Sequence, residues 1–271
     1  MAFLFLNKLC LCIVRSICEY FEVNKKESKI KATDKTIKKI VAKELKRLGH
    51  DADLNHIDTS EVTDMTNVFS CDGNYLGESY DDLNPDISKW NTSKVTSMTQ
   101  MFLKCKKFNC DISGWDTHNV TTMGYMFFGC TEFNQDLPYW DVRSVTSMGG
   151  MFSECENFNG NVCDWETKSL TRLRTTFNKC KKFNQDISGW DVSRVTNMYA
   201  MFAGCEVFNQ DLSNWDVRKV KNMSHMFDGC TKFYKDLSKW ETDYNCDYSY
   251  CFTTERMLNH KKYWPHNWPW E

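Results

Sequence analysis

From residue 90 onward, large apolar side chains recur every 25 residues. Tryptophan stands at Trp90, Trp115, Trp140, Trp165, Trp190, Trp215 and Trp240. Five residues after each Trp except Trp240 comes Val95, Val120, Val145, Leu170, Val195 or Val220. Three further on sits Met98, Met123, Met148, Leu173, Met198 or Met223, and then Phe102, Phe127, Phe152, Phe177, Phe202 or Phe227. Cysteine (Cys105, Cys130, Cys155, Cys180, Cys205, Cys230) and a second phenylalanine (Phe108, Phe133, Phe158, Phe183, Phe208, Phe233) complete the stripe. A fixed period of this length marks one small unit repeated and stacked, because a single unit cannot bury its own apolar face.

Within one unit, Val195, Met198, Phe202, Cys205 and Phe208 step by three or four, which predicts a short helix with one apolar face. The segment from Asn209 to Trp215 reads as a short extended stretch with turn residues. Asn91, Asp116, Asp141, Glu166, Asp191, Asp216 and Glu241 follow the tryptophans and are placed to cap the coming helix through a side-chain oxygen. The expected fold class is therefore an α/β repeat solenoid with one short strand and one short helix per 25-residue repeat.

Outside the strict repeat, residues 1–32 form an apolar and then charged lead. Residues 33–52 form a capping helix, with Asp34 as its cap, Ile37, Ile40, Val41, Leu45 and Leu48 on one face and Gly49 at its end. The solenoid itself is expected over 53–240, as about seven coils. Its first coil carries extra residues between Cys71 and Asp82, where Gly73 and Gly77 point to a surface excursion. Residues 241–271 read as a degenerate closing coil and a Trp-rich cap, with Trp264, Trp268 and Trp270 covering the end of the core.

Two polar columns accompany the apolar ones. Asn109, Asn134, Asn159, Asn184 and Asn209 are expected as a buried ladder bonding the main chain of adjacent coils. Asp111, Asp136, Asp186, Asp211 and Asp236 are expected to be solvated or bonded to turn amides, since stacked like charges repel. Lysine and arginine number 34 against 36 acidic residues, a net charge of −2, so no nucleic-acid partner is expected. Six of the 14 cysteines occupy one core column and read as reduced, small apolar side chains. The amino-terminal apolar run is too short to span a bilayer and lacks a clear signal-peptide order, so no transmembrane span is expected.

No glycine-rich phosphate loop is present, and the histidines His50, His56, His118, His225, His260 and His266 share no repeat position. No catalytic, cofactor-binding or metal-ligating residue is assigned, and no cofactor is expected. Two metal readings stand as alternatives: a calcium ladder on the Asp column, and a zinc set from Cys246, Cys251, His260 and His266.

The units FNQDISGWDVSRVTNMYAMFAGCEVFNQDLSNWDV and the opening ADLNHIDTSEVTDMTNVF resemble the BspA-like leucine-rich-repeat surface proteins over roughly residues 35–252. That family occurs in bacterial surface proteins and lipoproteins, with relatives in some protists and large DNA viruses. The resemblance implies a right-handed, leucine-rich-repeat-like coil, a role in adhesion or protein binding, and a cell-surface or secreted location. The many reduced thiols and the lack of a clear signal point instead to an intracellular one. The function expected is a non-enzymatic interaction or adhesion module that presents a solenoid surface to a macromolecular partner. A metal-stabilised structural repeat protein and an intracellular effector of the same fold are the alternatives. The charges that vary between coils, Lys104, Lys107, Glu154, Glu156, Lys179 and Lys182, are the expected contacts.

Overall fold

The structure is a computed structural model and describes residues 29–72 and 81–268. The apolar lead with Cys10, Cys12 and Cys18, the excursion residues Gly73 and Gly77, and Trp270 lie outside the described residues.

The amino-terminal end is a small parallel unit. Strand β1 (Ile30–Thr33) leads into helix α1 (Ile37–Leu48), which returns the chain to strand β2 (Ile57–Glu61). The strands pair in parallel with Ile30 opposite Ile57. Ile37, Val41 and Leu45 are buried along one side of α1, spaced three to four residues apart as an amphipathic helix requires. Gly49 ends the helix in a left-handed conformation, φ 94°, with its N–H donating to the Leu45 carbonyl at 2.8 Å. Asp34 does not cap α1. Its carboxylate accepts from the Thr63 and Asp64 amides at 2.7 and 3.0 Å, which ties the turn before α1 to the first coil. Thr36 occupies the cap position and makes no side-chain cap bond.

Beyond β2 the chain proceeds in coils that lie directly on one another. Parallel bridges join Asp64, Ser97, Thr122, Ser147, Arg172, Asn197, Asn222 and Asp247 in a single file. This file falls on the stretch where the apolar spacing predicts a helix; there the backbone makes a run of turns. Met101, Cys105 and Phe108 donate their N–H groups to carbonyls three residues back, while Met98, Gln100, Phe102 and Lys104 donate to the next coil. A step of three to four apolar residues suits this arrangement as well as it suits a helix. The alternate amides are then free to pair between coils in the manner of a strand. Gln100 and Lys104 adopt φ of 56° and 62°, and their counterparts from Tyr125 and Gly129 through His225 and Gly229 share the left-handed conformation. The Asn209–Trp215 stretch, expected as a short extended stretch with turn residues, has a turn at Ser213 and Asn214 and pairs as no strand.

The interior is a set of aromatic files. Rings of Phe127, Phe152, Phe177 and Phe202 stack 5.6–5.8 Å apart and within 9° of parallel. Phe133, Phe158, Phe183 and Phe208 form a second file at 5.9–6.0 Å. The tryptophans form a third, with Trp140 to Trp165 at 6.4 Å and 3°. Each indole Nε1–H donates to a carbonyl of the preceding coil, for example Trp165 to Leu137 at 2.8 Å and Trp190 to Val162 at 3.1 Å. The core cysteines do the same. Their thiols donate to phenylalanine carbonyls of the preceding coil, Cys155 to Phe127 at 2.9 Å and Cys180 to Phe152 at 3.0 Å. The carbonyls that receive these two thiols also accept an N–H from their own turn, Cys130 and Cys155 respectively. A thiol is thus a weak donor as well as a small apolar group.

The asparagine ladder bonds main chain but is not buried. Asn109 Oδ1 accepts the Asn134 N–H at 2.9 Å and Asn134 Oδ1 that of Asn159 at 2.7 Å, and the side chains are half-buried or exposed. At the carboxyl-terminal end, helix α2 (Glu255–Leu258) and a 3-10 turn (Lys261–Tyr263) fold the tail over the last coil. Trp264 and Trp268 pack on Phe252 at 5.4 and 5.8 Å, and Trp268 is buried.

Candidate functional site

The charges expected to face a partner are largely engaged with one another. Lys104 pairs with Asp72, Lys179 with Glu154 at 2.7 Å, and Lys181 with Glu156 at 2.8 Å, each across neighbouring coils. Lys107 and Lys182 are exposed on the same ridge. Beside these two lysines the ridge is a row of solvated ion pairs, which contribute little to stability and neutralise one another.

A second face carries a depression of about 530 Å³ across five coils. Gly124 and Gly149 belong to its lining, and Arg172 and Arg174 come from the middle one of its coils. Tyr125 lies against Gly150, where an added Cβ would collide with the Tyr125 ring; φ is 65° there, a conformation that suits glycine. Arg174 extends over the Tyr199 ring at 5.4 Å. Lys221, also in the lining, is paired with Asp243. No carboxylate lines the depression, and among the described residues none pairs with Arg172 or Arg174. Sequence reasoning missed these residues. Their signal lies in departures from the repeat: consecutive glycines at one column and paired arginines in the coil at 166–190, whose apolar columns are also the most altered.

The acidic columns serve turns. Asp111, Asp186, Asp211 and Asp236 each accept the amide of the serine two residues on, at 2.9–3.0 Å. Hydrogen bonds from Ser113, Ser188 and Ser238 hold the carboxyls of Asp111, Asp186 and Asp236 below the ordinary value, and the Ser213 amide does so for Asp211. The residues after the tryptophans behave alike: Asp141 and Asp216 bind the amide and guanidinium of Arg143 and Arg218, closing a turn where a helix cap was expected. The Arg218 hydrogen bond takes the Asp216 carboxyl down to about 2.

Burial pushes the thiols of Cys130, Cys155, Cys180, Cys205 and Cys230 well up, so they stay protonated and poorly nucleophilic at neutral pH. The four residues considered for zinc are not gathered: Cys251 is buried, and His260 Nδ1 bonds the Arg256 carbonyl at 2.8 Å. Among the described residues, no three His, Cys, Asp or Glu side chains come together in a metal-holding group. Also among them, no helix is long and apolar enough to cross a membrane.

No curated protein matches the chain. The family described as Mycoplasma protein of unknown function, DUF285, matches residues 36–165 and 147–264. Those two overlapping stretches take in the α1 segment, the coils and most of the carboxyl-terminal cap, so the chain belongs to the DUF285 family.

Proposed function

We propose that this chain is a non-enzymatic interaction module, a repeat solenoid of the BspA-like kind that engages a macromolecular partner through the depressed face. The observation that carries the reading is the contrast between two surfaces of one stack. Most of the charges singled out on the ridge around the cysteine column are neutralised in pairs. On the depressed face, glycines remove side chains and two arginines keep unmatched charge. A rigid, repetitive scaffold with one irregular face is the usual way such stacks present a binding surface, and an irregularity that leaves charge uncompensated favours contact over self-stability.

Photo-crosslinking tests this. A photoreactive residue placed at Asn197, on the depressed face, is expected to trap a macromolecule in the source cells, and the same residue at Lys182 on the ridge is not. Equal trapping at both sites, or none at either, would contradict the reading.

A further inference from the structure

One amide in each coil, nine residues after the tryptophan position, distinguishes the depression from the rest of its face. In most coils a side chain two residues earlier closes a turn on it. Thr66 N–H donates to Asp64 Oδ1 at 2.8 Å, Tyr199 N–H to Asn197 Oδ1 at 3.0 Å, and Ser249 N–H to Asp247 Oδ1 at 3.0 Å. Ser224 N–H does the same with Asn222 Oδ1 at 3.0 Å. Three consecutive coils depart from this. Thr122, Ser147 and Arg172 hold the accepting position, and the amides of Gly124, Gly149 and Arg174 have no acceptor among the described residues. These coils supply Gly124, Gly149, Arg172 and Arg174 to the depression, and Thr196, Asn197, Lys221 and Asn222 of the next two coils complete it.

The geometry points to a binding site for the carboxylate side chains of an extended acidic segment of a partner protein, held by these amides and by Arg172 and Arg174. The inference rests on the interaction reading above and names the partner's chemistry. Asp64 and Asp247 show that a carboxylate fits this turn, as the Asn197 and Asn222 amides also do, and the charge of Arg172 and Arg174 favours the carboxylate over the amide. An incoming Asp or Glu side chain supplies the oxygen that Thr122, Ser147 and Arg172 do not. The arginines add charge-assisted donors of the planar kind that match a carboxylate. Adjacent coils repeat at about 4.8 Å, so the three amides span about 10 Å, the reach of roughly three extended residues. Two unpaired arginines on a chain of net charge −2 are too few for a phosphate-backbone track.

The test titrates the full chain with a fluorescent peptide of alternating Gly and Asp, against the same peptide with Asn in place of Asp. Saturable binding of the acidic peptide alone is expected, weakening as salt rises. Two variants remove it by different routes. R172A/R174A takes away the charge, and Ser147→Asp occupies the Gly149 amide from within, as Asp64 and Asp247 already do in their own coils. Each is expected to weaken binding roughly tenfold or more, with the melting temperature of Ser147→Asp unchanged or raised. The inference is overturned by equal binding of the Asn peptide, by no saturable binding of the Asp peptide, by unchanged affinity in either variant, or by preference for an oligonucleotide. If Asn197 still traps a protein partner while Ser147→Asp has no effect on that trapping, the carboxylate inference fails and the interaction reading stands.

Discussion

Single residues in this molecule act across coils as often as within them. The indole of Trp165 and the thiol of Cys155 each reach a carbonyl one coil back. The columns they form are plain in the sequence, because period and apolarity survive in one dimension. Their donor roles are not, because the acceptor is main chain of the neighbouring coil and has no residue signature. A glycine shows the same limit. Gly160 occupies a column filled elsewhere by Gln135, Gln185 and Gln210, so a larger residue looks harmless by analogy. In the structure an added Cβ would collide with the Gln135 backbone oxygen. Gly160→Ala is expected to lower stability by about 1–3 kcal/mol through overpacking, read from urea unfolding; a change within about 0.5 kcal/mol would show that this coil relaxes freely. The buried thiols give a second expectation at this scale. Cys130, Cys155, Cys180, Cys205 and Cys230 should resist a thiol reagent at pH 8 in native protein and react on unfolding. Prompt native labelling of these positions would contradict their placement.

At the scale of elements, the coil is built from turns because alternate amides are claimed by the next coil. Three-and-four spacing of Val, Met, Phe and Cys cannot tell that arrangement from a short helix, since both put the same side chains inward. What separates them is the destination of the Gln100, Phe102 and Lys104 N–H groups, and that is a contact between units. Helix α1 was legible because its apolar face, its lysines and Gly49 are all local features. Asp34 looked like its cap for a local reason as well, yet its partners Thr63 and Asp64 lie a coil away. The closing tail follows the simpler rule that an open aromatic stack must be covered. Trp268 stacks on Tyr248 at 4.4 Å and bonds Thr242 through its indole N–H at 3.1 Å. Trp268→Ala is expected to cost roughly 3–5 kcal/mol, the range for buried aromatic truncation, and to expose the last coil first. Hydrogen exchange confined to residues near Phe252 would mark that local opening; uniform loss of protection along the stack would contradict it.

The whole molecule is a stack whose turns are held by carboxylates, which makes its response to acid predictable in sign. Carboxyls of Asp111, Asp141, Asp186, Asp191, Asp216 and Asp236 sit below their ordinary value of 3.8 because the folded turns donate hydrogen bonds to them. Groups depressed by folding add stability above their unfolded value and lose it as pH falls through the folded one. Thermal stability should therefore hold from neutral pH to about pH 4 and fall between there and about pH 2, where Asp216 titrates. A stack that instead gained stability over that window would reverse the assignment. The depressed face was the least legible feature of all. Its glycines and arginines stand out only as interruptions, and an interruption reads first as decay of the repeat. The amides of three of the coils forming that face test the account most directly, through residue-resolved hydrogen exchange. Met123, Tyr125, Met148, Gly150, Leu173 and Thr175 donate to the next coil and should be strongly protected. Gly149 and Arg174, lying between them without acceptors and outside the buried core, should exchange freely until an acidic ligand is added. Equal protection of both sets in the unliganded chain would contradict the open face and the register that creates it.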